Sequence, residues 1–310
     1  MRISIIALVM CVVACGDDSN NADPYKCVAA GGDACFEYPT ARVEAADPIS
    51  FASKAPDLTS CPAMYEIQTI PSITFTGHTF TLFGNNAIAA ARFEIFQNLN
   101  LTGSLADVTS DDGTTDPDLT GSYTVTVDNM PSQVFLRTSK SGFLPLVFLY
   151  QRFDPAATAL DPYDAKLATR TDISMLFENV SDAFIMGKTQ VIGHATDCNG
   201  NNLVNVVANV STSSAIGSPR TYEVGVRTYY AEEGLELRLA RRTMMMQTGT
   251  SGRFAASNLS AGRHFIQIWG YLTDADVAMG GKGLSLLGEQ EIIATSIESA
   301  QIVPLYGHEP

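Results

Sequence analysis

The sequence predicts an all-β chain built as two tandem β-sandwiches joined by a short helical connector. Short alternating segments such as "SITFTGHTFTLF", "GSYTVTVDN" and "HFIQIWGYL" are rich in Val, Ile, Thr, Tyr and Phe and are bounded by Gly, Asn, Asp and Ser. Period-two alternation with such boundaries marks half-buried strands, and strands at this frequency mark sandwiches or barrels. An internal repeat is the second observation. Gly77-His78 stands seven residues before Gly84-Asn85-Asn86, and Gly193-His194 stands seven before Gly200-Asn201-Asn202. Further on, "GSYTVTVDNMP" (121–131) matches "GRFAASNLSAG" (252–262). A period of about 115 residues is a duplicated domain, since solenoid repeats are much shorter.

Taken in order, residues 1–14 read as a signal peptide. The apolar run Ile3–Ala14 follows Arg2 and is 12 residues long, too short for a permanent membrane helix. Val12-Val13-Ala14-Cys15 resembles the bacterial lipobox, in which the cysteine is acylated and becomes the mature N-terminus. Cys11 fits less well behind the bulky Met10. An ordinary secretory signal or a buried N-terminal strand is the plainer alternative. "GDDSNNADP" then supplies a solvated tether, and two acyl chains anchor durably at about 0.8 kcal/mol per buried methylene. Export to an oxidising compartment makes Cys27, Cys35, Cys61 and Cys198 an even disulfide set with three pairings open. Local closure favours Cys27–Cys35, which leaves Cys61–Cys198. Zinc has no Cys-x-x-Cys pair to support it.

Residues 15–66 form the tether and cysteine-bearing N-terminal segment, 67–150 the first sandwich, 151–187 the connector and 188–310 the second sandwich. Within the connector, Leu167, Ile173, Leu176 and Phe177 fall on one helical face.

The repeat resembles the carboxypeptidase regulatory-like domain, a transthyretin-like, Ig-like β-sandwich of roughly seven strands. "VIGHATDCNGNNLVNVVANV" carries Asp197 and Gly200 of its turn, and "TGTSGRFAASNLSAGRHFIQI" carries Thr248, Gly252, Phe254, Leu259 and Gly262. Asn205 and Ser260 stand where the family has Gly and Pro. The first copy keeps Gly84, Gly121, Tyr123, Met130 and Pro131, with an acidic insertion at 107–120. The chain is similar to myxobacteria-like lipoproteins with tandem domains of this kind. That likeness implies a fold and hardly any chemistry.

The formal net charge of −14 disfavours nucleic acid, and loss of Arg2 makes the mature protein about one unit more acidic. His-Glu-x-x-His, Gly-x-Ser-x-Gly and phosphate-loop motifs are missing from the sequence. His78 and His194 occupy equivalent repeat positions, which points to a shared structural role. Asp107, Asp111, Asp112, Asp116 and Asp118 surround Gly113. They are candidate calcium ligands, although their spacing is not that of an EF-hand and a solvated hairpin is the plainer reading. Lys188 and Asn258 are a candidate isopeptide pair, a link known in pilus domains with a related sandwich. "TMMMQT" (243–248) places adaptable methionines on a strand near Tyr229 and Tyr230. Beside it, "RLARR" is a local basic spot. No cofactor is expected. The reading is a non-enzymatic, lipid-anchored protein of the bacterial cell envelope at the outer membrane, with sandwiches that serve as spacers or bind protein or glycan. An envelope hydrolase or its accessory subunit, with a site in the acidic loops, is the alternative.

Overall fold

The computed structural model describes residues 38–61, 66–84, 86–178, 180, 185, 187–216, 221, 223, 226–231, 239, 245–295 and 299–308. The signal peptide, Cys15, Cys27 and Cys35 lie outside the described residues. In chain order the strands begin with β1 (Glu44–Ala46), β2 (Ser53–Lys54), β3 (Thr69–Thr81), β4 (Arg92–Phe96), β5 (Ala106–Thr109) and β6 (Ser122–Pro131). There follow β7 (Gln133–Ser139), β8 (Leu146–Arg152), β9 (Ala159–Leu160), β10 (Ala165–Leu167) and helix α1 (Arg170–Glu178). The second half supplies β11 (Thr189–Thr196), β12 (Asn202–Val204), β13 (Val207–Ser211), β14 (Arg227–Tyr230), β15 (Arg253–Leu259), β16 (Gly262–Gly270), β17 (Ser285–Ala294) and β18 (Ser299–Tyr306).

These strands make an all-β sandwich fold, as the alternation predicts. In the first half, β6–β3–β10 faces β4–β7–β8. Ile73 and Phe75 of β3, Tyr123 and Val127 of β6, and Phe93, Ile95 and Leu136 of the facing sheet fill the space between them. In the second half, β15–β11–β18 faces β13–β16–β17. The two halves therefore repeat one strand order.

The glycine-aromatic signal explains why the order repeats. Gly77 pairs across the sheet with Tyr123, and Gly193 with Phe254. The carbonyl of Gly121 accepts from the amide of Thr79 at 2.8 Å, and that of Gly252 from Ala195 at 2.8 Å. Gly121 and Gly252 both have positive φ (78° and 62°), where a side chain would be strained. A Cβ on Gly193 would lie 2.0 Å from the Phe254 ring. The second copy thus keeps a bare strand position so that Phe254 can lie inward over it, whereas in the first copy the bare position at Gly77 admits the Tyr163 backbone, whose carbonyl oxygen a Cβ would meet at 2.1 Å.

The halves are not separate beads. Edge strand β8 of the first pairs in parallel with β18 of the second, with Leu146, Val147 and Phe148 opposite Ala300, Gln301 and Ile302. Phe96, Phe135, Val147 and Leu149 share a buried cluster with Ile292 and Ala294. The Tyr150 hydroxyl donates to the Glu291 carbonyl at 2.5 Å.

Residues 151–187 correct the expected connector. Its first part is β9 and β10, which pair in parallel with β3, and Phe153 and Tyr163 pack into the first core. Only α1 is helical. Ile173, Leu176 and Phe177 are buried on one face as expected, whereas Leu167 belongs to β10 and packs with Ile88 and Ala91. Strands of two or three residues are too short to show an alternating period.

Candidate functional site

A row of buried polar side chains lies on the outer face of β13–β16–β17. Alternation along β16 sends Ile266 and Ile268 into the core and Gln267 and Trp269 to the opposite face. There Asn209 Nδ2 of β13 donates to Gln267 Oε1 at 2.8 Å, and Gln267 Nε2 donates to Glu289 Oε2 of β17 at 2.9 Å. The Trp269 indole N–H donates to Gln267 Oε1 at 3.3 Å.

The chain leaving β13 folds back over this row. Ser214 Oγ and the Ala215 amide donate to the Glu289 carboxylate at 2.5 and 2.7 Å. Asn209 Nδ2 also donates to the Thr221 carbonyl at 2.8 Å, and the Glu223 amide to the Val210 carbonyl at 3.0 Å. Glu223 ends the crossing on His264, whose Nδ1 lies 2.5 Å from Glu223 Oε2 and whose Nε2 lies 2.7 Å from the Ser260 carbonyl. A carboxylate on one ring nitrogen and a carbonyl on the other both accept best from N–H groups, an arrangement that favours the imidazolium form of His264. Burial works against that charge, but the Glu223 hydrogen bond and charge with the Ser260 carbonyl outweigh it, and the pKa rises. Amides, a carboxylate and an indole hold polar groups by hydrogen bonding and packing. Here they hold the protein's own strap, and Asn209 Oδ1 is buried beneath it with no partner among the described residues.

The first half places a charged pair on the corresponding strands. Arg137 of β7 grips Glu94 of β4 at 2.7 and 2.8 Å, and stands 4.9 Å over the Phe96 ring. Arg92 joins Glu94 to Asp107, and its hydrogen bond holds the Asp107 carboxyl below the usual range. The acidic insertion is otherwise a series of local turns. Asp111 accepts from the Gly113 amide at 2.7 Å, Asp112 from the Thr114 amide at 2.9 Å, and Asp116 from the Asp118 amide at 3.0 Å. Asp118 is exposed. Among the described residues, no group of three or more His, Cys, Asp or Glu gathers to hold a metal, so the five carboxylates do not converge as a calcium site needs.

The other singled-out residues have specific places. Cys61 and Cys198 form a disulfide, with Cα atoms 4.9 Å apart. Asp197 beside it accepts from the amides of Asp57, Asn199 and Asn201 at 3.1, 2.9 and 2.8 Å. Lys188 donates to Ser260 Oγ at 2.9 Å, while Asn258 Oδ1 accepts from the Ile185 amide and Gln190, so the candidate isopeptide pair is engaged elsewhere. His194 is hydrogen-bonded to Asn202 at 2.8 Å, and burial depresses its pKa. His78, its repeat equivalent, instead stacks on Phe80 at 5.7 Å. Met245 packs against the second core and Met246 is exposed, while Tyr229 and Tyr230 are fully buried. Of "RLARR", only the buried Leu239 is described. Asn209, Gln267, Glu289 and the His264–Glu223 pair escaped sequence reading. The signal was a polar residue at the centre of an otherwise apolar strand in "HFIQIWG".

No family model matches the chain, and no curated protein matches it. Among solved structures, the shaft pilin SpaA from Lactobacillus rhamnosus GG is 9% identical, with 78% of this chain and 99% of that chain covered and a TM-score of 0.21. A streptococcal ancillary pilin is 10% identical, with 77% and 63% covered and a TM-score of 0.20. GBS52, the minor pilin of Streptococcus agalactiae, is 8% identical, with 77% and 97% covered and a TM-score of 0.19. Scores this low carry no argument about function.

Proposed function

We propose that this protein is a lipid-anchored, non-enzymatic component of the bacterial cell envelope, whose fused sandwiches form a stiff spacer that presents loops to protein or glycan. The observation that carries this reading is the parallel β8–β18 seam, which makes one sheet run through both halves. A spacer works by keeping its ends at a fixed separation, and a shared sheet resists the hinge motion that a flexible linker allows. The Cys61–Cys198 bond fits the same purpose, since it fastens the N-terminal segment leading from Cys15 to the second half. Carboxylates, amides and hydroxyls of the candidate face are engaged in holding the chain, which suits binding and support better than turnover. The lipobox at Cys15 agrees with the outer membrane. The test is membrane fractionation of the full chain and of Cys15→Ser. The intact chain should stay with membranes through a high-salt wash, and the variant should appear in the soluble fraction. Retention of the variant would overturn the anchor.

A further inference from the structure

We infer that the outer edge of β6 is a docking edge for an extended, basic polypeptide segment of a partner, added antiparallel as a further strand. The two copies differ at this edge. In the second half, β14 lies along the outer edge of β15, with Arg227 opposite Ser257 and Tyr230 opposite Phe254. Immediately after it, the Ala231 amide donates to the Arg253 carbonyl at 3.0 Å. In the first half the same closing bond exists, from the Asp111 amide to the Ser122 carbonyl at 2.8 Å. The strand before it, β5, has crossed to the other sheet and pairs with β4. Among the described residues, β6 forms a ladder only with β3; β5 passes near it but pairs with β4, so the other edge of β6 lacks the hydrogen-bonded strand that β15 carries.

The edge is built to accept one. Thr76 and Thr74 of β3 turn their carbonyl and amide to the Tyr163 amide and the Thr158 carbonyl, away from β6. The alternation of antiparallel pairing then points the amides and carbonyls of their opposites, Thr124 and Thr126, and of Asp128 away from β3. All three residues are exposed. An incoming strand gains main-chain hydrogen bonds there. Its chemistry follows from charge: Ser122–Pro131 contains Asp128 and no Lys or Arg, and Asp111, Asp112 and Asp116 flank its start. In the β14 register, a basic residue in the place of Arg227 falls opposite Thr126 and diagonal to Asp128. Edge strands left bare are normally guarded by lysine, proline or a bulge. Before the bend at Asn129 (φ 52°) this one has none.

The probe is a synthetic peptide copying residues 225–231, "GVRTYYA", with both ends blocked so that Arg227 leaves it basic, added to the mature chain with exchange of Thr124, Thr126 and Asp128 amides followed by mass spectrometry. Saturable binding should slow that exchange. Binding should weaken at least tenfold with Thr126→Pro, which removes an outward amide and leaves the β3 pairing intact, and with a peptide in which the position of Arg227 is Glu. Far-UV circular dichroism checks that the variant folds, and Thr126→Lys offers a second guarded edge if it does not. No saturable binding, or protection elsewhere than β6, overturns the inference. So does sedimentation showing that the chain dimerises through this edge, because the occupant is then a second copy. Cys15→Ser fractionation is independent of all these results.

Discussion

At the scale of single residues, the repeat rests on positions where a methyl group is too much. A Cβ on Gly193 meets three atoms of the Phe254 ring within 2.4 Å, and a Cβ on Gly77 meets the Tyr163 carbonyl oxygen at 2.1 Å. Gly193→Ala should therefore destabilise the chain by about 1–3 kcal/mol, the range for overfilled cores, as read by urea unfolding. Phe254→Leu added to it should recover part of the loss, and no recovery would mean the clash is not with the ring. His264 gives a pH-dependent counterpart. Its folded pKa lies above the unfolded value, so the stability it adds is complete below about 6.5 and is lost as pH rises through the folded pKa. His264→Gln should cost about 1–3 kcal/mol near pH 5.5, as for a charge-assisted hydrogen bond, and less at pH 9. An equal cost at both pH values would refute the imidazolium.

At the scale of elements, the long strands could be read from sequence and the short ones could not. Val125 and Val127 alternate with Thr124 and Thr126 along β6, and that alternation is the signal itself. The two residues of β9 and three of β10 hold their places because β3 offers a free edge, a fact stored about 85 residues away. The carboxylates of 107–118 were visible as a cluster in sequence. Their destinations were not, because a carboxylate is captured by whichever amide its own turn presents, as Asp112 is by Thr114. The Cys61–Cys198 pairing was one of three open choices. It closes 137 residues of chain, and removing such a bond costs about 2–5 kcal/mol. Cys198→Ser should lose amide protection in Glu44–Ala46 and Ser53–Lys54, which enter the large sheet only through β12. Protection of the β3–β6 pairing should persist. Simultaneous loss of both would show that the bond stabilises the whole fold and does more than fasten its N-terminal segment.

At the scale of the whole molecule, the decisive feature is the β8–β18 seam, and it left no trace in sequence because both strands read as ordinary half-buried β. Its consequence is thermodynamic coupling. If the seam and the shared cluster of Phe135, Leu149 and Ile292 bind the halves, a cavity in the first core must lower the stability of the second. Ile73 is fully buried in the first core, and Ile73→Ala costs about 2–5 kcal/mol. Trp269, the one tryptophan of the chain, sits in the second half and reports that half alone. In the intact protein, Trp269 fluorescence and far-UV circular dichroism should fall together in one thermal transition. Ile73→Ala should move both to lower temperature by the same amount, since a single cooperative unit has one midpoint. A Trp269 transition that stays put while the circular dichroism shifts would mean that the halves melt independently, and a stiff spacer could not be built on such a seam.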